Sequence, residues 1–293
     1  LLTTAIGAGI PIIFAPAMHA SMYEHPIVLE NIRKLESIGV KVLMPRMEEG
    51  KAKIPGTEEI DQSVVDKLTV ERDFEGMKVV VTGGPCREYL DGFRYISNPS
   101  SGKMGAAIAE AALDRGAEVT LVFGPGTAVP PSGANVVKVE TTEEMLDAVV
   151  ESLKDGDKDV AILSAAAADY KPTDRKMVKT PSGMDRWTVD LKPLPKIIER
   201  VKKVDPKVFL VGFKAEYDLT EKELLRRATK RMGEAEMDLI VANDVSKDRV
   251  GFGTDTNEVF IIERGGEVTH VPLKSKREVA DVLLTKVKEK MSG

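Results

Sequence analysis

The residues best placed to do chemistry lie between Lys78 and Gly105. The buried-type run Val79-Val80-Val81 enters a Gly83-Gly84-Pro85 turn. A polar loop then carries Arg94 and Asn98, and Ser100-Ser101-Gly102 precedes a helix expected from Lys103. Strand, glycine turn and helix start together present free backbone N–H groups that suit a phosphate. Two familiar nucleotide motifs do not fit. A P-loop needs Ser or Thr after Gly-Lys, and Met104 follows Lys103. A dinucleotide fingerprint opens its helix straight from the glycines, and here a long loop intervenes. A plain βα crossover would use the same strand and turn. Asn98, with glycine turns on both sides of one polar loop, points beyond that.

Further along, Ser164-Ala165-Ala166-Ala167-Ala168-Asp169-Tyr170 follows an expected strand at 159–163. Small side chains let a ligand lie against the backbone, and Asp169 offers an acceptor at the carboxyl edge of a sheet. An alanine-rich helix start reads from the same residues. Lys171, Arg175, Lys176 and Lys179 sit in a loop bounded by Pro172 and Pro181-Ser182-Gly183. A cationic flap of this kind can close over a triphosphate and screen charge as pyrophosphate leaves, and a solvated charge run is the ordinary alternative. Pro195 opens an expected helix through Lys196-Ile197-Ile198, which would free N–H groups for an anion. Phe213 ends a strand, where its ring can stack on a base or sugar or fill the core. Asn243-Asp244-Val245 suits Mg²⁺, a ribose or a turn alike. There is no Tyr-x-x-x-Lys pair, against a short-chain dehydrogenase, and no Gly-x-Ser-x-Gly, against an α/β-hydrolase.

The elements that must position these groups alternate strand and helix, the pattern of a doubly wound parallel sheet. Strands are expected at 77–82, 118–123, 135–139, 159–163, 207–212 and 238–242, and helices at 103–115, 142–154, 195–203 and 219–233. A β-ribbon at 257–271 and a helix at 275–290 close this block. Before it, 11–16 reads as a short strand, 26–38 as an amphipathic helix and 40–44 as a strand. Residues 48–53 read as a polar loop and 63–68 as a helix. Arg72 to Gly76 is the expected boundary, so the domains are 1–72 and 77–293. The fold class is α/β: a Rossmann-like doubly wound, mostly parallel sheet preceded by a partial flavodoxin-like segment. The chain has 293 residues and a formal net charge of −5, which argues against nucleic-acid binding through a basic surface. Cys86 is the only cysteine, which rules out an internal disulfide and a Cys-based zinc site and fits a reducing, cytoplasmic compartment. His19, His25 and His270 are too scattered to suggest a metal site, and no apolar run is long enough to span a bilayer. Leu1 to Gly7 reads like the middle of a helix of a larger domain, so a fragment or processed chain is expected.

The stretches TGGPCREYLDGFRYISNPSSGKMG, SAAAADYKP, VGFKAE and IVANDVSKDRVGFGTDTNEV, with the flap around Lys176, resemble the phosphopantothenate–cysteine ligase family in family order across 77–293. That resemblance implies a ligase of coenzyme A biosynthesis. 4′-Phosphopantothenate would be activated by CTP as an acyl-cytidylate with loss of pyrophosphate, and cysteine would then displace CMP. It implies Asn98 at the acyl intermediate and Lys176 on the nucleotide phosphates, with Lys179 as the alternative in the flap. It assigns Ala165, Asp169, Pro195, Lys196, Ile197, Ile198, Phe213 and, by a loose alignment, Lys230 to CTP. Arg94, Ser101, Gly102, Lys103 and Ala166 go to substrate and phosphate. It also implies Mg²⁺ with the triphosphate, no assigned metal ligand, and a homodimer in which ribbon strands such as 257–271 pair.

The first block resembles the flavin-dependent phosphopantothenoylcysteine decarboxylase family through Pro16-Ala17-Met18-His19-Ala20-Ser21-Met22-Tyr23. His19 stands where many members have asparagine, as a substrate-carboxylate contact, and Leu2-Thr3-Thr4 resembles a flavin-contacting helix start. The segment EEGKAKIP lacks the cysteine that many members use as a proton donor. FMN is therefore expected only with the complete flavin domain, and neither decarboxylation nor tight FMN binding is expected here. Two other readings stay open: a nicotinamide-dependent reductase and a non-catalytic nucleotide-binding subunit.

Overall fold

The computed structural model describes residues 12–37, 40–68 and 72–292. The chain divides into two compact units, Leu1–Glu71 and Arg72–Gly293. In the first, β1 (Ile13–Phe14) and β3 (Lys41–Val42) pair in parallel. Between them lie β2 (Met18–His19), α1 (Ala20–Tyr23) and α2 (Pro26–Ser37). Ile32 on α2 packs with Val40 and Val42, as the apolar stripe of the helix requires. Residues 48–53, expected as a loop, belong to a hairpin. β4 (Arg46–Glu48) and β5 (Lys51–Lys53) pair antiparallel around Glu49 and Gly50, both at positive φ, and β2 adds to β5. Charged side chains hid this hairpin because both strands are short and mostly exposed. α3 (Thr57–Leu68) starts six residues before the expected helix. Leu2-Thr3-Thr4 lies outside the described residues.

The second unit is built on β6 (Lys78–Gly83), the accessory hairpin β7 (Arg87–Tyr89) and β8 (Tyr95–Ser97), α4 (Lys103–Asp114), β9 (Glu118–Phe123) and β10 (Asn135–Lys138). Then come α5 (Thr142–Leu153), β11 (Val160–Leu163), a second accessory pair β12 (Tyr170–Pro172) and β13 (Leu191–Pro193), and α6 (Ile198–Val204). β14 (Phe209–Glu216), α7 (Glu221–Glu234), β15 (Leu239–Asp244), β16 (Thr256–Glu263), β17 (Val268–Ser275) and α8 (Lys276–Ser292) complete it. The eight-stranded sheet runs β10-β9-β6-β11-β14-β15-β16-β17, parallel through β15 and antiparallel in the last two strands. Among the six parallel strands, numbered in chain order, the spatial order is 3-2-1-4-5-6. That order reverses between β6 and β11 and opens a crevice at their carboxyl ends.

Alternation within the strands splits the core in two. Val79, Val81, Leu121 and Ile162 face α4 and α8. Val80, Val122, Ala161 and Leu210 face α5, α6 and α7. Strands buried on both faces have to be apolar throughout, which is why these runs stand out in the sequence. α5 begins with a capping box: Thr141 Oγ1 accepts from the Glu144 N–H and the Glu144 carboxylate accepts from Thr141 N–H. The ribbon expected at 257–271 is β16 and β17. β16 is flanked on both sides, so only β17 offers an edge, and Pro272 removes a donor from it.

The loop joining β7 to β8 is organised by the fully buried Asp91 carboxylate. It accepts N–H bonds from Phe93 at 3.0 Å, Arg94 at 2.9 Å and, from far along the chain, Thr180 at 3.0 Å. Arg94 Nη1 reaches the same carboxylate at 3.0 Å and the Thr180 carbonyl at 3.1 Å. Burial alone would raise the Asp91 pKa, but these N–H donors and the Arg94 charge outweigh it and hold it down to about 2. The folded pKa is depressed, so this contribution to stability is present above about 3.8 and is lost as pH falls through about 2. Asp91→Ala is expected to release the 173–190 segment at neutral pH. Limited trypsin digestion should then cut after Arg175, Lys176 or Lys179 faster than in wild type, and acid unfolding should lose part of its steepness between those two values.

Candidate active site

Two loops leave the sheet at the switch point, one from β6 and one from β11, and hydrogen bonds lace them together. Ala166 N–H donates to Gly84 O at 2.9 Å, and Ala165 N–H to Thr82 Oγ1 at 3.1 Å. Ser164 Oγ donates to Thr82 O at 2.6 Å. Ala168 N–H donates to Thr142 Oγ1, the first residue of α5, at 3.1 Å. Asn98, just past β8, spans the gap: its Nδ2 donates to Ala166 O and Ala167 O, each at 3.1 Å. Ser164 to Asp169 is thus a pinned extended loop, and the alternative of an alanine-rich helix start is not what forms. The glycines are required by geometry. Gly84 has φ +82°, and a Cβ there would lie 2.8 Å from Gly124 O; Gly102 has φ +84°, and a Cβ there would lie 2.5 Å from the Phe123 ring.

A cavity of about 560 Å³ lies over these loops. Asn98, Ser101, Gly102, Lys103, Ala165, Ala166, Asp169, Pro195, Lys196, Ile197, Ile198 and Phe213 all line it, so most residues singled out from the sequence converge there. Lys196 and Asp169 form an ion pair across one rim. Pro195 does not open a helix as expected. Residues 191–193 form β13, α6 starts at Ile198 with Ile197 as its cap, and a tight turn at Lys196-Ile197 intervenes.

Four expected residues do not line the cavity. Arg94 is spent on Asp91 and Thr180, with its guanidinium over the Phe93 and Trp187 rings. Lys176 has an exposed side chain, while its N–H donates to Leu90 O at 3.1 Å. Lys179 lies over the Phe93 ring at 5.5 Å. The flap is therefore docked on the β7–β8 hairpin and away from the cavity. Lys230 points to solvent and pairs with Glu234 at 3.7 Å. Its neighbour Arg231, rotated about 100° round α7, lines the cavity and pairs with Glu199 at 2.8 Å.

Sequence reasoning also missed Thr142 and Met145 on α5, Met237, Asn257 and Lys276, which all line the cavity. Thr142 was legible as the residue after a helix cap, and Arg231 as one residue from the expected lysine. Nothing local marked Asn257 or Lys276. Asp244 performs the turn role among the three left open. Its carboxylate accepts N–H bonds from Asp218 and Ser246 at 3.0 Å and from Leu219 at 3.3 Å. Cys86 is fully buried, and burial pushes its thiol up to about 11, so it is inert as a nucleophile at neutral pH.

The rim carboxylates are already committed: Asp169 to Lys196, and Glu216 to Lys214 at 3.2 Å and Arg227 at 3.4 Å. Among the described residues no three His, Cys, Asp or Glu side chains gather to hold a metal. That donor set fits a Mg²⁺ carried on phosphates and water, and does not fit one caged by protein. In the first unit the described glycines, Gly50 and Gly56, face open space. His19 is exposed there, with Nδ1 3.4 Å from Ser21 Oγ. No described helix is long and apolar enough to cross a membrane.

Residues 74–291 match the family model described as DNA/pantothenate metabolism flavoprotein C-terminal domain, and residues 1–69 match the Flavoprotein model. The coenzyme A biosynthesis bifunctional protein CoaBC of Thermococcus kodakarensis is 48% identical over 291 residues, 99% of this chain and 70% of that protein. A cysteine/cysteine sulfinic acid decarboxylase from an unknown prokaryotic organism is 36% identical over 98% of this chain and 82% of that protein. Among solved structures, the C-terminal domain of a CoaBC protein aligns with a TM-score of 0.63 and 34% identity, covering 76% of this chain and 99% of that one. The chain belongs to the DNA/pantothenate metabolism flavoprotein C-terminal domain family, with a Flavoprotein-family segment ahead of that domain.

Proposed function

We propose that the second unit is a ligase of coenzyme A biosynthesis that joins 4′-phosphopantothenate to cysteine at the expense of CTP. The observation that carries this reading is the Asn98-laced cavity at the switch point. The relatives named CoaBC supply the pathway. A carboxylate oxygen of the acid attacks the α-phosphorus, the bond to pyrophosphate breaks, and an acyl-cytidylate remains. The cysteine nitrogen then attacks the acyl carbon, loses a proton, and CMP departs. Ile198 and Arg231 hold the nucleoside on the α6–α7 side, and Phe213, packed on the α4–α8 side, flanks it across the sheet edge. The backbone of Ala165 and Ala166 and the small residues around it let the reacting groups lie close to the sheet edge.

Asn98 has a more constrained role than a free oxyanion donor. Its amide already donates to two carbonyls, so it contacts the acyl group by giving up one of them, or it acts by fixing the loop those carbonyls belong to. A Mg²⁺ carried on the triphosphate would neutralise part of its charge, held by phosphate and water oxygens, since among the described residues no cluster of His, Cys, Asp or Glu side chains would hold it. The flap reaches the phosphates only by leaving the β7–β8 hairpin, and Lys176 is the residue it then delivers. The protein acts in the cytoplasm and as a homodimer in this reading. The first unit neither decarboxylates nor retains FMN by itself. The nicotinamide reductase stays as a second reading because the strand order 3-2-1-4-5-6 is that of dinucleotide-binding sheets. The long loop after Gly84 counts against it.

Incubation with CTP, 4′-phosphopantothenate and cysteine should release CMP and pyrophosphate only when all three are present. Turnover of NADPH in place of CTP would transfer the protein to the second reading. Asn98→Asp turns a carboxylate toward two carbonyl oxygens and should cost roughly 10²-fold or more in amide formation, with circular dichroism unchanged. Arg231→Gln should raise KM for CTP, whereas Lys230→Gln should leave it alone; the opposite pattern would restore the lysine. Lys176→Gln should cost roughly 10²-fold in kcat with nucleotide binding retained. A loss confined to Lys179→Gln would move the flap register by three residues.

A further inference from the structure

Toward α4 and α8, on the other side of the sheet edge from α6 and α7, the cavity ends in a corner formed by Asn243, Asn257, Lys103 and Lys276. The two buried amides face each other, with Asn243 Nδ2 donating to Asn257 Oδ1 at 3.2 Å. Lys276, the first residue of α8, is only 6% exposed. Its ammonium donates to Gly251 O at 2.8 Å and Thr254 O at 2.6 Å. Two carbonyls leave its third N–H unfilled.

The other cations on the cavity wall all have carboxylate partners: Lys196 with Asp169, Lys214 with Glu216, and Arg231 with Glu199. Lys276 has none among the described residues. Its neighbour Asp255 is taken by Lys103 at 2.5 Å, and Lys103 also donates to Gly253 O at 3.2 Å. Burial pushes the Lys276 ammonium down to about 8. The Lys103 charge acts in the same direction, and Asp255 opposes both. A desolvated ammonium beside a second one, short of a counter-charge and open to a ligand cavity, is built to meet an anion brought in from outside.

We propose that Lys276, with Lys103, binds the β- and γ-phosphates of the nucleoside triphosphate and the pyrophosphate they become. This rests on the ligase reading above. With the nucleoside at Arg231 and Ile198 on the α6–α7 side, a triphosphate crossing the sheet edge past the glycine turn and Phe213, which packs on the α4–α8 side, runs toward this corner. Lys176 lies outside the cavity, so the paired lysines are the cations that the terminal phosphates reach while the flap is docked.

Equilibrium binding of CTP, CMP and inorganic pyrophosphate to the full chain tests this directly. Lys276→Gln and Lys103→Gln should each weaken CTP and pyrophosphate by about tenfold or more while leaving CMP unchanged, and Lys276→Arg should recover most of the loss. Equal losses for CTP and CMP would reduce Lys276 to a shaping role, and unchanged CTP binding would remove it from the site. Either result overturns the proposal, as does a wild-type chain that binds neither CTP nor pyrophosphate. If Lys276→Gln fails to fold, Lys103→Gln decides by the same comparison. The ligase reading fails by a different outcome: CTP binding that depends on both lysines, with no CMP formed from phosphopantothenate and cysteine.

Discussion

The cavity lies over two loops, after β6 and β11, that are hydrogen-bonded to each other along their length. Each N–H to carbonyl link between them contributes on the order of 1 kcal/mol net. Their effect is mainly geometric, since they turn a run of backbone into a rigid floor. Alanines at 165–168 keep that floor low, and the glycines at 84 and 102 let the loop after β6 and the start of α4 pack against Gly124 and Phe123 at the end of β9. A floor of this kind recognises ligands through main-chain groups, which leaves few side chains free to vary the chemistry.

Charge around this floor is distributed unevenly. Most cations on the wall are neutralised by a carboxylate at hydrogen-bond distance, which keeps the empty cavity from accumulating positive potential. The exception is the buried Lys276, on the α4–α8 side, where an ammonium is held by carbonyls alone. Backbone dipoles can hold a buried cation in place without cancelling its charge, so the electrostatic demand is left for a ligand to meet.

Much of this could be read from the chain alone, and the reasons are physical. Parallel strands buried on both faces must be apolar throughout, so β6, β9, β11 and β15 declared themselves. Asn98, Asp169 and Phe213 were found because loops at the carboxyl ends of such strands are where ligands bind. What escaped notice depends on tertiary context. Arg231 and Lys230 differ only by a rotation on one helix, which one residue of uncertainty in α7 erases. Lys276 looks like any lysine after a serine until β17 and α8 fold it under the 251–255 loop. Arg94 was drawn to the substrate by its neighbourhood, yet a buried carboxylate three residues away competes for it more strongly.

That competition also explains how the flap and the loop carrying Asn98 are connected. The β7–β8 hairpin carries Asn98 just beyond one end, and its turn receives the flap through Lys176 N–H on Leu90 O and Thr180 N–H on Asp91. The hairpin itself is fixed from behind, because buried Glu88 accepts from Thr142 N–H at 2.9 Å and the Tyr89 hydroxyl donates to Glu140 at 2.6 Å. The hairpin is therefore one mount shared by Asn98 and the flap. Arg175 over Tyr89 and Lys179 over Phe93 are contacts of a kind worth about 0.5–1 kcal/mol each at exposed sites. Those two contacts are weak, whereas the Thr180 N–H on buried Asp91 and Arg94 on the Thr180 carbonyl tie the end of the flap firmly to the hairpin. A segment docked on a hairpin in this way starts any movement from a defined place and has less conformational entropy to lose than a free loop.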